Sequence, residues 1–399
     1  MPQPLQGCRV VDFTHVLSGP IATNFLRLLG AEVIKIESAA GDTMRNYGGI
    51  QYADGMGPSF ASVNSGKKSI VLDLKRDADV AVARELIAGA DVVTENFRPG
   101  VMDRLGLGYE ACKALNPRIV FCSISGYGQR GEVRHQPAID QIIQSTSGMM
   151  SLSGEPGTPP IRIGYPAVDT YSGLLAAFAI VSALLQRGRD GQAQQVDVAM
   201  YDAALVLMIS MAGPHLLTGK RPAKQGNRGY SMSPTADTFP TAAGHLTLGA
   251  VRQDQFERLC RVIGREDLIA DPRFQDRGTR VAHGEALQHE VRLALAGRGA
   301  AEWAALLNTA GVPAGEVREL PEALAQPHLD DRQLLLSIPA GAQALRVLNA
   351  GFCYEHDGPG MDAPPPALGQ HTAEILAGLG RTPEQIAAFL HREDARAKS

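Results

Sequence analysis

One acidic residue, Asp169, stands at the start of an apolar stretch, in the sequence GYPAVDTYSG at residues 164–173. A carboxylate in the first turn of a helix often caps it by accepting hydrogen bonds from backbone N–H groups. A carboxylate that is not used as a cap can act as a nucleophile and form a covalent intermediate. The sequence around Asp169 leaves both roles open.

Four further segments carry polar residues where predicted strands and helices meet. In open parallel sheets, ligands bind beyond the carboxyl ends of the strands, so these turns are candidate binding sites. The segments are DFTHVLSGPIATNF, SGKKSIVLDLK, TENFRPGVMDRLGLGY and SISGYGQRGEVRHQPAIDQIIQSTSG.

The first and third of these turns could bind an anionic ligand. In the first, Ser18 or Gly19 precedes Pro20 at the start of a predicted helix, which leaves free backbone N–H groups for an anion. An ordinary helix start is the alternative, and His15 can equally be a packing residue. In the third, four residues could hold an adenine and its phosphates by stacking and charge-assisted hydrogen bonds, or could simply lie on the surface: Asn96, Phe97, Arg98 and Arg104.

The fourth segment places Asp140 and Gln144 four residues apart and therefore on one face of a predicted helix. They form either the polar edge of a site or an ordinary helix start. Signatures of other enzyme classes are missing: GKKS lacks the upstream glycine of a phosphate loop, no GxGxxG follows the first strand, and the histidines show no ligand spacing. The sequence therefore predicts neither a metal site nor a nucleotide cofactor.

The elements that must position these residues alternate between strands and helices through the first half of the chain. Helices are predicted at 77–89, 100–115 and 172–187. Strands joined by helices in this way are parallel, so the predicted fold class is α/β, of the doubly wound kind. The strand runs are CRVVDF, AEVIKIE, SIVLDL, DVVTENF, RIVFCSI and QQVDVAM.

The second half of the chain has a different pattern. FPTAAGHLTLGA predicts a hairpin, and helical patterns follow near 253–264, 282–296 and 301–311, which together indicate a smaller α+β domain. We therefore expect a large domain over 1–200, a linker over 201–234, the small domain over 235–330 and a return to the large domain over 331–399.

The composition is that of an ordinary globular protein, since 44% of the 399 residues are hydrophobic and 20% are charged. A net charge of −4 without a run of Lys or Arg predicts neither a nucleic-acid nor a membrane partner. The five dispersed cysteines indicate a reducing compartment. The N-terminus lacks a signal-peptide pattern and the longest apolar run is too short to span a bilayer, which predicts a cytoplasmic protein.

Ordered blocks along nearly the whole chain resemble the family III CoA-transferases, which include formyl-CoA transferase, carnitine CoA-transferase and α-methylacyl-CoA racemase. The blocks are the first three turns quoted above, Asp169 before its apolar helix, GQAQQVDVAMYDA and LGQHTAEIL. The resemblance implies a Rossmann-like large domain with a parallel sheet, a smaller α+β domain and an interlocked homodimer. The active site would lie between the large domain of one subunit and the small domain of the other.

The resemblance also implies a reaction in which coenzyme A is a substrate, bound as its thioester. Asp169 would be the nucleophile that moves CoA from an acyl-CoA donor to a carboxylic acid acceptor, through a mixed anhydride and an aspartyl-CoA thioester. Asp140 would line the acyl site. The residues implied to contact CoA are His15, Leu17, Ser18, Leu72, Lys75, Asn96, Phe97, Arg98 and Arg104.

Three features depart from the pattern of the family. Ser38 and Pro137 stand where some relatives carry Arg and Lys, so Arg45 or Lys67 is expected to supply the missing contacts. The segment HLTLGAVRQDQF contains only Gly249, which argues against a long glycine-rich lid over the site.

Two other functions stay open. Racemisation of a 2-methylacyl-CoA would use a His before Asp140, where this chain has Ile139, which cannot exchange a proton. A non-catalytic CoA-binding protein is the second alternative. For a transferase, a small dicarboxylic acid such as succinate, itaconate, mesaconate or citramalate is expected, because several residues could bind a second carboxylate: Arg134, Arg162, Arg228, Tyr230 and Ser233.

Overall fold

The computed structural model describes residues 3–49, 51–52, 56–340 and 343–397. Contacts divide the chain into two units. The first contains residues 1–149, 162–220 and 327–399, and the second contains residues 150–161 and 221–326. These units are defined by contacts within the chain, and the predicted domain boundaries stay a prediction.

The first unit begins with alternating strands and helices. Several of its strands are buried along most or all of their length, as expected of parallel strands covered on both faces. The strands are β1 (Arg9–Asp12), β2 (Glu32–Glu37), β3 (Lys68–Val71), β4 (Val92–Glu95), β5 (Val120–Ser125) and β6 (Gln194–Ala199). The helices are α1 (Ser18–Leu28), α2 (Pro58–Asn64), α3 (Asp77–Ala88), α4 (Val101–Arg104), α5 (Tyr109–Leu115), α6 (Asp140–Thr146), α8 (Ala167–Asp190), α9 (Met200–Leu207) and α10 (Ile209–Thr218). A short helix, α7 (Met149–Leu152), has its first residue in the first unit and its other residues in the second.

These strands form a parallel sheet in the order β3-β2-β1-β4-β5-β6. Val10 of β1 pairs with Val33 of β2 on one side and with Val92 of β4 on the other. The strand order reverses here, so the turns after β1 and β4 flank the crevice in which such sheets bind ligands. The predicted α/β fold with a Rossmann-like parallel sheet is confirmed, whereas the interlocked dimer stays a prediction.

The second unit contains a small antiparallel sheet and a group of helices. Its strands are β7 (Thr238–Pro240), β8 (His245–Leu248) and β9 (Ala314–Glu316). Its helices are α11 (Gln253–Val262), α12 (Asp267–Ala270), α13 (Arg277–Ala282), α14 (Gly284–Leu295), α15 (Ala300–Thr309) and α16 (Leu320–Leu324). β7 and β8 form the predicted hairpin, and α11, α14 and α15 correspond to the three predicted helices.

The remaining residues belong to the first unit. They form α17 (His328–Asp331), the antiparallel pair β10 (Leu335–Ala340) and β11 (Gln343–Leu348), α18 (Thr372–Gly378) and α19 (Pro383–Ala397). The N–H of His371, just before α18, donates to the Ser69 carbonyl at 3.0 Å. This bond holds the last segment against β3.

An apolar layer covers each face of the parallel sheet. Val11 and Phe13 lie in one layer with residues of α3, α5 and α18, and Val10 lies in the other with residues of α1 and α8. Successive residues of β1 alternate between the layers because side chains in a strand point to opposite faces. α1 and α8, which flank the candidate site, are thus fixed on one face of the sheet.

Three predictions about helices were wrong in detail. The helix predicted over 100–115 is split into α4 and α5, because Gly106 adopts φ +67° in the intervening LGLG. The helix predicted at 172–187 begins at Ala167, so Asp169 lies inside its first turn. Residues 201–218, assigned to the linker, form α9 and α10.

Among the described residues, α8 is long and apolar enough to span a membrane, judged by length and composition alone. α9 and α10 pass the same test as a pair but are bent by 81°. The core helix of a soluble protein passes it too, and α8 buries Ala176 and Ile180 in the layer against the sheet. The expected absence of a membrane partner stays a prediction.

Candidate active site

The turn after β1 is joined to the turn after β4 by two hydrogen bonds. The N–H of His15 donates to Asn96 Oδ1 at 2.8 Å, and Asn96 Nδ2 donates to the His15 carbonyl at 2.8 Å. The rings of His15 and Phe97 are neighbours, with centroids 5.6 Å apart. Three residues expected to contact CoA are therefore brought together where the strand order reverses.

Val16 adopts a left-handed backbone conformation, with φ +67°. A β-branched residue rarely does so, which means that its surroundings must hold it. The Val16 N–H donates to Asp42 Oδ1 at 3.1 Å, and Asp42 Oδ2 lies 3.0 Å from the fully buried ammonium of Lys35. The turn held in this way leads to Leu17 and Ser18 at the start of α1, where no side chain caps the helix.

A second buried ion pair lies near this turn and was missed by the sequence analysis. Lys67 Nζ lies 3.2 Å from Asp12 Oδ2 and also donates to Thr23 Oγ1 at 2.7 Å and Asn64 Oδ1 at 2.9 Å. Burial lowers the pKa of Lys67 to about 8, although Asp12 acts in the opposite direction. The available signal was a charged residue, Asp12, at the end of the apolar run CRVVDF.

Arg45 and Lys67 do not supply the missing CoA contacts, so that prediction was wrong. Arg45 is only 3% exposed and binds both carboxylate oxygens of Glu37, at 2.8 and 2.7 Å. Lys67 is only 2% exposed and its ammonium is surrounded by oxygen atoms of the protein. Both side chains point into the protein interior, and the sequence pattern does not show this orientation.

Asp169 lies in the first turn of α8 but does not cap the helix. The N–H groups of Val168 and Asp169 both donate to Asp140 Oδ2, at 2.9 and 3.1 Å. Asp140 is the first residue of α6, so the cap of α8 comes from a different helix. The carboxylate of Asp169 is consequently left for another role.

The surroundings of Asp169 disfavour its charged form. Burial and the neighbouring charge of Asp140 raise the pKa of Asp169 to about 7, although a hydrogen bond with Ser18 acts in the opposite direction. A carboxyl group with a pKa near neutrality is typical of a functional site. The geometry therefore joins Ser18, Asp140 and Asp169 in one constellation.

Close packing of α1 and α8 explains the proximity of Ser18 and Asp169. A Cβ atom at Gly173, one turn after Asp169, would lie 2.6 Å from the Ser18 carbonyl oxygen. Only glycine allows this approach without a shift of the backbone. The contact brings the first turn of α8 beside the first turn of α1.

The other residues expected to contact CoA differ in what they can offer. Lys75, Arg98 and Arg104 are exposed cations on the turns after β3 and β4, whereas Leu17 is half-buried. Leu72 is 1% exposed and its side chain lies in the core, so a ligand at this position can contact only its backbone. The CoA-binding roles of these residues stay predictions.

A buried acid supports the turn after β4. Glu95 Oε2 accepts a hydrogen bond from the Phe97 N–H at 2.8 Å, and Glu95 lines a cavity of about 150 Å³ together with Arg98, Tyr109 and Ser123. Burial raises the pKa of Glu95 to about 7, although Ser123 and the Phe97 N–H act in the opposite direction. No sequence pattern distinguishes Glu95 from an ordinary polar residue at the end of a buried strand.

The five residues expected to bind a second carboxylate do not share one environment. Ser233 is buried and its hydroxyl group bonds to Thr235 and to the Ala250 carbonyl, so it is not available to a substrate. Arg228 lies 3.9 Å from Asp237, and Tyr230 is exposed. Arg134 and Arg162 are exposed cations of the first unit.

Arg162 is tied to the constellation through its neighbour. The N–H of Ile163 donates to Gln144 Oε1 at 2.9 Å, and Gln144 Nε2 donates to Asp140 Oδ1 at 2.6 Å. Within the described residues, no group of three or more His, Cys, Asp and Glu side chains could hold a metal ion.

Known proteins are similar to this chain over most of its length. The model of CoA-transferase family III matches residues 5–372. The chain is 40% identical over 362 residues to acetyl-CoA:oxalate CoA-transferase of Acetobacter aceti, and the match covers 90% of this chain and 92% of the relative. It is 33% identical over 383 residues to succinate–glutarate CoA-transferase of Agrobacterium fabrum, and the match covers 94% of this chain and 96% of the relative.

A solved structure extends the likeness to the fold. The crystal structure of a CAIB/BAIF family protein from Brucella suis matches with a TM-score of 0.87 and 33% identity, and the match covers 95% of this chain and 100% of the other. Fold, family model and relatives agree over nearly the whole chain. The chain therefore belongs to CoA-transferase family III and is a CoA-transferase.

Proposed function

We propose that this enzyme moves CoA from an acyl-CoA thioester to a small dicarboxylic acid, with Asp169 as the covalent carrier. The observation that carries the proposal is the state of Asp169: its carboxylate does not cap α8, and its pKa is raised to about 7. A carboxylate that is not occupied by helix capping and is more basic than usual is suited to nucleophilic attack.

The first half of the reaction loads CoA onto the enzyme. An Asp169 oxygen attacks the thioester carbonyl, the C–S bond breaks and the CoA thiolate leaves, which produces a mixed anhydride. Thiols titrate near 8.5, so the thiolate is a good leaving group. The thiolate then attacks the aspartyl carbonyl, and the donor acid leaves as a carboxylate, so that CoA is held as an aspartyl thioester.

The second half repeats these steps with the acceptor. The acceptor carboxylate attacks the aspartyl thioester and expels the thiolate, which forms a second anhydride. The thiolate attacks the acceptor carbonyl, which yields the new acyl-CoA and frees the Asp169 carboxylate. No net oxidation occurs, and the thioester bond energy is conserved.

The turns at the strand-order reversal are proposed to bind CoA. The His15–Asn96 pair fixes both turns, the Phe97 ring offers a face for adenine, and Lys75, Arg98 and Arg104 provide charges for the phosphates. Arg162, held near Asp140 through Ile163 and Gln144, is suited to a second substrate carboxylate. The named substrates of the two relatives, oxalate, succinate and glutarate, support a dicarboxylic acid.

The proposed enzyme is a homodimer, because α8 and α10 present apolar side chains that the described part of the chain leaves exposed. On α8, Leu174, Phe178 and Leu185 are 44%, 69% and 62% exposed and lie on one face. On α10, Leu216 and Leu217 are 82% and 87% exposed. Soluble monomers rarely expose such surfaces, and a second copy of the chain is the proposed cover.

The covalent role can be tested by trapping. Wild-type enzyme is incubated with single acyl-CoA donors and treated with hydroxylamine or borohydride, which attack activated carbonyls and leave free carboxylates unchanged. We expect a modified peptide containing Asp169, and none in Asp169→Asn. An unmodified peptide from enzyme that transfers CoA at full rate would assign the chemistry elsewhere, and a panel of dicarboxylic and monocarboxylic acceptors would test the substrate class.

A further inference from the structure

The strongest unassigned feature is the chain of hydrogen bonds that ends on the backbone beside Asp169. Asp140 Oδ2 accepts from the N–H groups of Val168 and Asp169, and Asp140 Oδ1 accepts from Gln144 Nε2 at 2.6 Å. Gln144 is fully buried, and its Oε1 accepts from the Ile163 N–H at 2.9 Å. Both oxygens of Asp140 and both polar atoms of Gln144 are therefore engaged.

We propose that Asp140 and Gln144 form a clamp that positions Asp169 by capping α8 from α6 and by holding the segment that leads into α8. This inference rests on the proposed role of Asp169. Asp140 is then a positioning residue that acts through the backbone, in contrast to the acyl-site lining that the family resemblance implied.

Three observations support a clamp over a simple surface cap. First, the residue that precedes α8 is Pro166, which has no side-chain hydrogen-bonding group, so the helix depends on a distant acceptor. Second, the two partners come from one face of α6, at a spacing of one turn. Third, Gln144 binds the chain before α8 while Asp140 binds the helix itself, so the pair fixes the angle at which α8 begins.

The clamp also assigns helix capping and nucleophilic attack to two different acids, because one carboxylate could not do both. A capping carboxylate accepts hydrogen bonds from backbone N–H groups, which reduces its basicity and fixes its direction. Because Asp140 performs the capping, the Asp169 carboxylate accepts no capping hydrogen bond, and its side-chain partner is the hydroxyl group of Ser18. The nucleophile is thus placed through its backbone, and its side chain is not used to hold the helix.

Substituting both Asp140 and Gln144 can restore their hydrogen bonds while it moves the negative charge from position 140 to position 144. In Asp140→Asn, the amide oxygen can still accept from α8, but its NH2 group faces the NH2 group of Gln144. Combining it with Gln144→Glu lets the new amide donate to the new carboxylate, whose other oxygen accepts from Ile163. Asp276→Ala is the matched control, because Asp276 accepts from the Thr279 N–H at 2.9 Å and caps α13 in the second unit.

We expect Asp140→Asn to lower kcat at least about tenfold, the order of effect of a slightly misplaced reacting group. KM for acyl-CoA should stay within about threefold, because the change affects the reacting group and not ground-state binding. The double variant should recover kcat to within about threefold of wild type. Asp276→Ala should lower the melting temperature without lowering kcat.

Two results would overturn the clamp. One is an unchanged kcat in Asp140→Asn; the other is a double variant that regains the melting temperature but not kcat, which would assign a direct chemical role to the Asp140 charge. If wild-type enzyme fails to transfer CoA, the proposed function is rejected, and the clamp is tested separately by measuring hydrogen exchange of backbone amides. Exchange at Val168 and Asp169 should then be faster in Asp140→Ala, and equal exchange would reject the clamp.

Discussion

At the scale of residues, the site is built around an acid whose charged form is disfavoured before any substrate is bound. Burial and Asp140 raise the pKa of Asp169 to about 7, and Ser18 acts in the opposite direction. The folded protein therefore keeps a proton on Asp169 at a pH where an unfolded chain has lost it. This difference links the proposed nucleophile to the stability of the fold.

The first prediction concerns that link. The pKa of Asp169 rises from its ordinary value of 3.8 to about 7. Its favourable contribution to the free energy of unfolding is therefore complete below pH 3.8 and is lost as the pH rises towards 7. Asn cannot ionise, so Asp169→Asn should be more stable than wild type at pH 8, by on the order of 1–3 kcal/mol, and the difference should shrink at pH 5.

Thermal unfolding of both proteins at pH 5 and pH 8 measures this difference. Glu95, whose pKa is also raised to about 7, is present in both proteins, so its titration cancels in the comparison. A difference in melting temperature that does not depend on pH would contradict the raised pKa of Asp169.

At the scale of elements, the contact between α1 and α8 determines whether Ser18 and Asp169 meet. Gly173 permits the contact, because a Cβ there would lie 2.6 Å from a backbone oxygen that cannot move without its helix. The same helix contains a second glycine, Gly188, where an added Cβ would point into open space. Substitutions at these two positions therefore distinguish the effect of helix propensity from the effect of packing.

The second prediction uses this pair of glycines. Gly188→Ala should stabilise the protein by up to about 1 kcal/mol, because alanine is the better helix former. Gly173→Ala gains the same propensity but forces the helices apart, so it should destabilise the protein by roughly 1–3 kcal/mol and reduce CoA transfer. Chemical denaturation and transfer assays measure both, and a stabilised, fully active Gly173→Ala variant would show that the close contact is not required.

At the scale of the whole molecule, α8 exposes an apolar face made of Leu174, Phe178, Val181 and Leu185. Its residues recur at helical spacing on the side of α8 that does not face the sheet. A surface of this kind usually buries itself in an interface.

The third prediction is that this face holds two copies together. Phe178→Glu combined with Leu185→Glu should weaken the dimer and lower the apparent stability, since buried charge at an apolar interface is costly. Leu293→Glu, which changes an exposed leucine of the second unit, is the control. Light scattering measures the oligomeric state, and a folded, active wild-type monomer at assay concentration would reject the proposed dimer.

Much of the molecule could be predicted from local sequence patterns. The α/β class and the parallel sheet follow from the alternation of apolar strand runs with helices, because hydrophobic periodicity is a property of neighbouring residues. The turns after β1 and β4 were identified in the same way, since such sheets bind ligands at the carboxyl ends of their strands. The importance of Asp169 came from the family resemblance and not from periodicity.

The tertiary structure decided which polar groups are free and which are engaged. Asp140 caps a helix that begins 27 residues later, Asn96 binds a turn 81 residues away, and Lys67 faces Asp12 across 55 residues. No local pattern reports such contacts, because they depend on how the helices and strands pack and on which side of each element becomes buried. For that reason the sequence by itself located Asp169 at the start of a helix, and only the packing of α1, α6 and α8 showed that its carboxylate does not serve as the cap.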